Sequence, residues 1–353
     1  MMCNQRKYRS GSGERRTRNG WAVFLFCSLM TFSNAAAHAQ LIPSLGKERS
    51  GTSGFQFLKI PVDARAAALG ESVVATAEDA SALFWNPALV SLMDGLQVGF
   101  YHTAYFVDVN LEFIALSYPL PGSNITVGAS LQTLNSGEMD VTTEFQPFGT
   151  GQTFRLTDIA AGLTISQSLT DLFSYGITTK YVQESVAGIK TSAVVFDMGI
   201  FYRIGTTGAK MAVSVRNFGF DGKPEGSIDR IVIADDPIKT ESDFERITAP
   251  TTFHLGTAYE ILQDDPNNSL LVSAQLNNPS DNSENFNMGL EYGWHHTIVF
   301  RIGYRFGVEE FTIPSLGVGL HIPYLGSNYR IDYAFNKLER LGDVHRFGLN
   351  LSF

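Results

Sequence analysis

The chain has 353 residues, of which 44% are hydrophobic and 12% aromatic, with a formal net charge of −9 and only two cysteines. An acidic protein lacks the basic surface that nucleic acid requires, so we expect no nucleic-acid partner. Its mean hydropathy is close to zero. No apolar run after residue 39 approaches the ~18 residues that indicate a transmembrane helix.

The first 39 residues have the three parts of a secretory signal peptide. Residues 1–19 carry six basic side chains and one acid, and an apolar run from Trp21 leads to Ala37-His38-Ala39. This pattern predicts cleavage near Ala39, because the run is shorter than the ~20 residues that a membrane anchor needs. Cleavage removes both cysteines, and since it removes six bases and one acid, it changes the formal net charge from −9 to −14.

The last eleven residues predict a β-strand with one apolar face. Phe347, Leu349, Leu351 and Phe353 alternate with polar or small residues, which is the period of a strand. In a soluble protein, a C-terminal edge strand with an exposed apolar face would promote aggregation. In a closed transmembrane barrel the strand pairs on both sides and its apolar face contacts lipid. A strand of a soluble β-sandwich is the alternative.

The same alternation recurs through residues 96–353 and favours the barrel. The predicted segments are 96–102, 111–118, 124–134, 154–166, 173–186, 191–203, 210–217, 251–260, 269–276, 284–293, 297–306, 314–322, 328–335 and 343–353. Every second connection between these segments is short, and the two longest connections are among the alternate ones. Outer-membrane barrels have this arrangement of short periplasmic turns and longer external loops. The sequence therefore predicts an all-β fold, a transmembrane antiparallel β-barrel of about 14 strands with short periplasmic turns.

Residues 40–95 have a different character and predict a small N-terminal helical plug or hatch. The segment is rich in alanine, and a short helix is expected between Asp79 and Asn86-Pro87, because a residue before proline is disfavoured in a helix. The predicted regions are thus a signal peptide at 1–39, a plug at 40–95 and an outer-membrane β-barrel at 96–353. A periplasmic extension is the alternative for the middle region.

The sequence from Ser53 to Ala88 resembles the N-terminal signature of the PorV/PorQ family, part of the FadL-like barrel superfamily. The matching positions are Phe57-Leu58, Ala64-Arg65, Gly70, Asp79-Ala80-Ser81-Ala82 and Trp85-Asn86-Pro87-Ala88. The resemblance implies a plugged fourteen-stranded barrel in the outer membrane of a Gram-negative-type bacterium. It also implies a role in type IX protein secretion, with exported cargo or other secretion components as partners.

Two other functions are open at this stage. FadL-like relatives pass hydrophobic small molecules, so a transport channel with a hydrophobic ligand is the first alternative to protein binding. A purely structural role in the envelope is the second. The organism's possession of other type IX components would favour secretion over transport.

Two groups of residues form the candidate site. The plug motif comprises Arg65, Asp79, Trp85, Asn86 and Pro87, and the luminal charge wall comprises Glu291, Arg301, Arg305, Arg330, Asp332 and Arg346. Charges at membrane depth must face the lumen and be paired or hydrated. We expect Arg65 and Asp79 to contact the wall, which then either holds the plug or contacts a charged end of a substrate.

No arrangement of residues predicts catalysis, so we expect no enzyme activity, no cofactor and no metal. His295-His296 fall in a predicted turn, and adjacent strand residues would point to opposite faces. Asp264-Asp265 lack the ligand spacing of an EF-hand and predict a turn.

Two surface features are also expected. The stretch from Asp221 to Ile247 contains eight acids and four bases, which predicts a long external loop suited to protein capture. An interfacial girdle of aromatic residues is predicted near the strand ends. Its members are Tyr101, Tyr118, Tyr202, Tyr259, Trp294 and Tyr324.

Overall fold

The computed structural model describes residues 51–226, 244–263, 265–324 and 326–353. The predicted signal peptide, Asp264 and most of the loop predicted between Asp221 and Ile247 lie outside the described residues. Fourteen long strands follow one another along the chain. They are β1 (Gln97–Ala104), β2 (Asn110–Pro119), β3 (Ile125–Asn135), β4 (Leu156–Thr170), β5 (Phe173–Val186), β6 (Ile189–Ile204), β7 (Ala209–Gly219), β8 (Thr252–Glu260), β9 (Asn268–Pro279), β10 (Asn285–Trp294), β11 (Ile298–Phe306), β12 (Ser315–Tyr324), β13 (Ser327–Leu338) and β14 (Gly342–Ser352).

The strands form one closed antiparallel barrel. Each strand pairs with its neighbour in sequence, and β14 pairs with β1, with Tyr101 opposite Gly348. Closure leaves no unpaired sheet edge, which is the condition for strands to span a membrane. The predicted fold is confirmed, because all fourteen predicted segments coincide with these strands. Among the described residues, no helix is both long and apolar enough to cross a membrane.

The two faces of the wall differ as the alternation predicted. On β14, Phe347 and Leu349 are exposed on the outside, whereas Arg346, Gly348 and Asn350 face inward and are buried. The outer face therefore offers apolar side chains to lipid. The inner face carries the buried polar side chains of the wall together with apolar ones such as Leu111 and Phe113, and it encloses other protein atoms.

The connections between strands sort into two ends. Connections from even to odd strands, such as 171–172 and 295–297, are short and define the short-turn end. Connections from odd to even strands include 136–155 and 220–251 and define the loop end. Two elements at the loop end were not predicted: a hairpin that pairs Met139–Asp140 with Thr153–Phe154, and Lys223–Glu225, which pairs with β6.

Five of the six residues predicted for the aromatic girdle lie exposed at the short-turn ends of β2, β6, β8, β10 and β12. The prediction for Tyr101 is wrong. This side chain is 4% exposed and points into the barrel, where its hydroxyl accepts a hydrogen bond from Asn350 Nδ2 at 3.0 Å. The preceding residue, Phe100, faces outward, because neighbouring residues of a strand point to opposite faces. The predicted turn at His295 and His296 is observed, with φ of 49° and 50°.

The segment before β1, which we call the luminal segment (residues 51–96), contains only short helices. Single 3₁₀ turns cover Gln56–Lys59 and Pro87–Leu92, and α1 (Ala64–Ala68) and α2 (Ala82–Trp85) are α-helical. The predicted helix starts at Ala82 rather than Asp79, because Asp79 forms a preceding turn with Ser81. It ends at Asn86, whose extended backbone precedes the proline as expected.

Candidate functional site at the interface between the luminal segment and the barrel wall

The luminal segment crosses the lumen from the loop end to the short-turn end. Ser53 bridges to Thr248, next to the start of β8 at the loop end. At the other extreme, Leu96 exchanges backbone hydrogen bonds with Phe353 at the short-turn end. Between these points most side chains of the segment are buried. The chain therefore enters the lumen at the loop end and leaves it where β1 begins.

At the loop end, the segment is held by one carboxylate. Asp281, in the connection between β9 and β10, accepts two bonds of 2.9 Å from Lys59 Nζ and one of 2.7 Å from Gln56. The Ser53 hydroxyl donates to the same carboxylate. Burial alone would raise the pKa of Asp281, but the hydrogen bonds from Lys59, Ser53 and Gln56 outweigh it and hold the pKa below its ordinary value.

The Trp-Asn-Pro motif fixes the middle of the segment. Asn86 is fully buried. Its side chain donates to Val74 O at 2.9 Å and to Ile200 O at 3.4 Å, and accepts from Ala88 N at 3.0 Å. It therefore joins two parts of the segment to strand β6 and caps the turn that Pro87 begins.

Trp85 links the motif to α1. Its indole Nε1 donates to Asp63 Oδ1 at 2.6 Å, and Asp63 Oδ2 caps α1 by accepting from Ala66 N at 2.8 Å. The ring packs edge-on against Phe84 with centroids 4.9 Å apart. Arg216 of β7 lies 3.8 Å above the Phe84 ring and donates to Leu58 O. These contacts connect both short helices to the wall.

Four charged residues form a chain from the segment across the wall. Arg65 binds Glu291 of β10 through two bonds of 2.9 and 3.0 Å. Arg301 of β11 binds the same carboxylate at 2.6 Å and continues to Asp332 of β13 at 2.5 Å. Bidentate and shared pairing of this kind is directional and charge-assisted. The arrangement fixes Arg65 against one side of the barrel.

The other wall residues also meet the segment. Arg305 pairs with Glu71, and Arg330 lies 3.7 Å from Glu78. Arg346 donates to Pro61 O at 3.3 Å. Each of the six predicted wall residues thus faces inward, and five of them contact the segment directly or through one partner.

Asp79 occupies a different environment from the one expected. It is buried, and its Oδ1 accepts from Ser81 N at 2.9 Å and from the Ser81 hydroxyl. Its hydrogen bonds therefore lie within the segment and organise the turn before α2, rather than joining the segment to the wall.

Seven inward glycines let the segment approach the wall backbone. They are Gly128, Gly176, Gly199, Gly256, Gly289, Gly303 and Gly317, on seven different strands. A Cβ on Gly176 would lie 2.9 Å from Ala88 N, and one on Gly303 would collide with the backbone of Leu69 and Gly70. Glycine in a strand interior marks such close approach. These positions could have been found from glycines at inward registers of the predicted strands.

The loop end also exposes aromatic side chains. Phe145 is 83% exposed and Phe148 is 99% exposed, both at the tip of the hairpin between β3 and β4. Neighbouring exposed apolar side chains at one loop tip are candidates for a contact surface. Within the described part of the chain, no group of three or more His, Cys, Asp and Glu side chains could hold a metal ion.

Comparison with known proteins gives a family and a fold. The family model described as "Type IX secretion system protein PorV" matches residues 44–279, more than half of the chain. No protein of curated function matches the chain.

Among solved structures, the Pseudomonas putida toluene transporter TodX is 12% identical with a TM-score of 0.55, covering 82% of this chain and 96% of that one. A Pseudomonas aeruginosa FadL homologue is 12% identical with a TM-score of 0.53, covering 83% and 98%. The Ralstonia pickettii toluene transporter TbuX is 11% identical with a TM-score of 0.52, covering 82% and 96%. These likenesses show the barrel fold. The matching family model is that of a type IX secretion system protein.

Proposed function

Because the chain belongs to the PorV family of type IX secretion system proteins, we propose that it binds exported cargo proteins or other secretion components at its loop end. Its lumen does not carry the cargo. Residues 51–96 act as a plug that keeps the barrel closed, and the barrel serves as a rigid membrane-embedded platform for the external loops.

The observation that carries this proposal is the way the luminal segment is fastened. Asp281 holds it at the loop end, Asn86 and Glu291 hold it in the middle, and the glycines bring its atoms against seven strands. Contacts spread over so many strands oppose a channel through the occupied part of the lumen. A closed barrel directs recognition to the loops that the scaffold displays.

The exposed hairpin tip supports a protein partner rather than a small molecule. Phe145 and Phe148 project from the loop end without packing onto the barrel. Phenylalanine is among the side chains enriched at protein interfaces relative to the rest of the surface. The described ends of the long polar connection between β7 and β8 lie at the same end.

The test replaces both aromatics by serine, Phe145→Ser with Phe148→Ser, in cells that use the protein for secretion. We expect fewer exported proteins at the cell surface, with an unchanged amount of the barrel in the outer membrane. Tyr324→Ser is the matched control, because Tyr324 is also an exposed aromatic but lies at the short-turn end. Normal surface display by the double variant would contradict binding through this hairpin.

A second candidate function is passage of hydrophobic small molecules. The fold shared with two toluene transporters favours it. Such passage requires the plug to move out of part of the lumen. This function therefore predicts flux of toluene into liposomes that contain the purified barrel. The favoured function predicts no flux above that of empty liposomes.

A further inference from the structure

A cavity of about 330 Å³ opens at the short-turn end, between the luminal segment and the wall. Its apolar part is formed by Leu89, Leu92 and Met93 of the segment and by Phe201 of β6. Its polar part includes charged side chains from three strands. The volume lies within the range of ligand pockets and equals that of about eleven waters.

Two cations are placed side by side at this cavity by strand pairing. Arg203 near the end of β6 is directly opposite Lys210 at the start of β7, and both side chains line the cavity. Like charges at directly opposed positions destabilise a sheet unless an anion lies between or beside them. An anion bound beside either cation would reduce this repulsion.

Only one of the two cations is neutralised. Lys210 pairs with Glu260 of β8. Within the described ranges, the Arg203 guanidinium makes no ion pair, and the side chain is exposed at the mouth of the cavity. Arg330 adds a third positive charge from β13, and its distance of 3.7 Å from Glu78 leaves that pair loosely engaged. Among the basic residues that line the cavity, Arg203 is thus the one that makes no ion pair within the described ranges.

The other residues that line the cavity favour a peptide over a free anion as the ligand. Asp94 lies in the same cavity with the side-chain amides of Gln97, Asn328 and Asn350. Acceptors of this kind suit the N–H groups of a peptide backbone. The apolar floor suits one hydrophobic side chain. The cavity lies inside the wall, so lipid head groups do not reach it.

We propose that this cavity binds the C-terminal end of a periplasm-exposed peptide whose last side chain is apolar. The carboxylate lies between Arg203 and Lys210, the last side chain packs on Leu89, Leu92 and Phe201, and the preceding backbone contacts the amides and Asp94. Capture of a terminal carboxylate is a known mode of peptide recognition. The site is at the opposite end of the barrel from the proposed cargo-binding loops and does not depend on them.

The test is isothermal titration calorimetry on the full chain in a non-ionic detergent. The probes are acetyl-Ala-Ala-Leu with a free carboxylate, the same peptide as its C-terminal amide, and inorganic phosphate. We expect binding of the free acid, and binding at least about tenfold weaker for the amide, because a charge-assisted contact is lost. Phosphate should bind more weakly than the free acid, since it cannot use the apolar floor.

Variants assign the binding to this cavity. Arg203→Gln should weaken binding of the free acid at least about tenfold, and Arg203→Lys should retain most of it. Arg340→Gln is the control, because Arg340 is likewise exposed but lies at the loop end. Equal binding of acid and amide, equal binding by Arg203→Gln, or no binding by the unaltered chain would overturn the proposal. Phosphate binding as tight as the peptide would reduce the site to a general anion site and overturn the peptide assignment.

Discussion

Replacing Trp85 and Asn86 by alanine should release the plug while leaving the barrel intact. Truncating a buried Trp costs about 3–5 kcal/mol. It also leaves Asp63 Oδ1 without its donor, which costs a further ~1–3 kcal/mol. Asn86→Ala removes the bonds to Val74 O and Ala88 N. Because the two residues are neighbours, these costs do not add fully.

Because these bonds lie within the segment, the combined loss, on the order of 5 kcal/mol, destabilises the folded form in which the segment packs on the wall and raises the population of other forms by on the order of 10³-fold. The assay is single-channel conductance in planar bilayers, where the variant should show larger or more frequent openings than the unaltered chain. The pair Phe145→Ala with Phe148→Ala is the matched control, because it removes two exposed aromatics and should leave conductance unchanged. A variant that inserts normally and conducts like the unaltered chain would refute the role of Trp85 and Asn86 in fastening the plug.

Three further outcomes are expected. Gly303→Val should loosen the plug and raise conductance, because a side chain there meets the plug backbone, whereas Gly348→Ala, which meets the wall side chains of Tyr101 and Asp332, should not. The anchor at Asp281 has a lowered pKa, so its stabilisation is complete above the ordinary value of 3.8 and is lost as the pH falls below it. Protection of the backbone amides of residues 53–59, expressed relative to the intrinsic exchange rate at each pH, should therefore fall as the pH is lowered below about 3.8, and Asp281→Asn should remove that dependence. Gly51→Cys should react with an impermeant maleimide on intact cells and Gly122→Cys should not, since the two open glycines lie at opposite ends of the barrel.

The barrel could be predicted from the sequence because alternation is a local signal. Phe347, Leu349 and their counterparts on other strands reveal which face meets lipid without knowledge of the partner strand. Tyr101 shows the limit of this reasoning, since an aromatic near a strand end was assigned to the girdle without regard to its register. Its neighbour Phe100 has the outward position.

The site was less predictable because its contacts join residues far apart in the chain. Arg65 and Glu291 were both singled out, but their pairing depends on the closure of fourteen strands around the segment. Asp63 was missed because its two roles, capping α1 and accepting from Trp85, appear only when the segment is folded. The glycines have no functional group, and their role is evident only from the segment atoms that pack against them in the folded barrel.

The most direct test of the account locks the plug in place and asks whether secretion continues. The Ser72 and Ser273 hydroxyl oxygens are 2.7 Å apart, one on the plug and one on β9, so cysteines at these two positions would place two thiols side by side. Ser72→Cys with Ser273→Cys should form a disulfide in the exported protein. Neither native cysteine competes for the new thiols, because both lie within the predicted signal peptide. We predict that oxidised cells display exported proteins at the surface as well as cells with the unaltered chain do. Surface display that stops on oxidation and returns on reduction would show that the plug must move, and would contradict a role confined to the loop end.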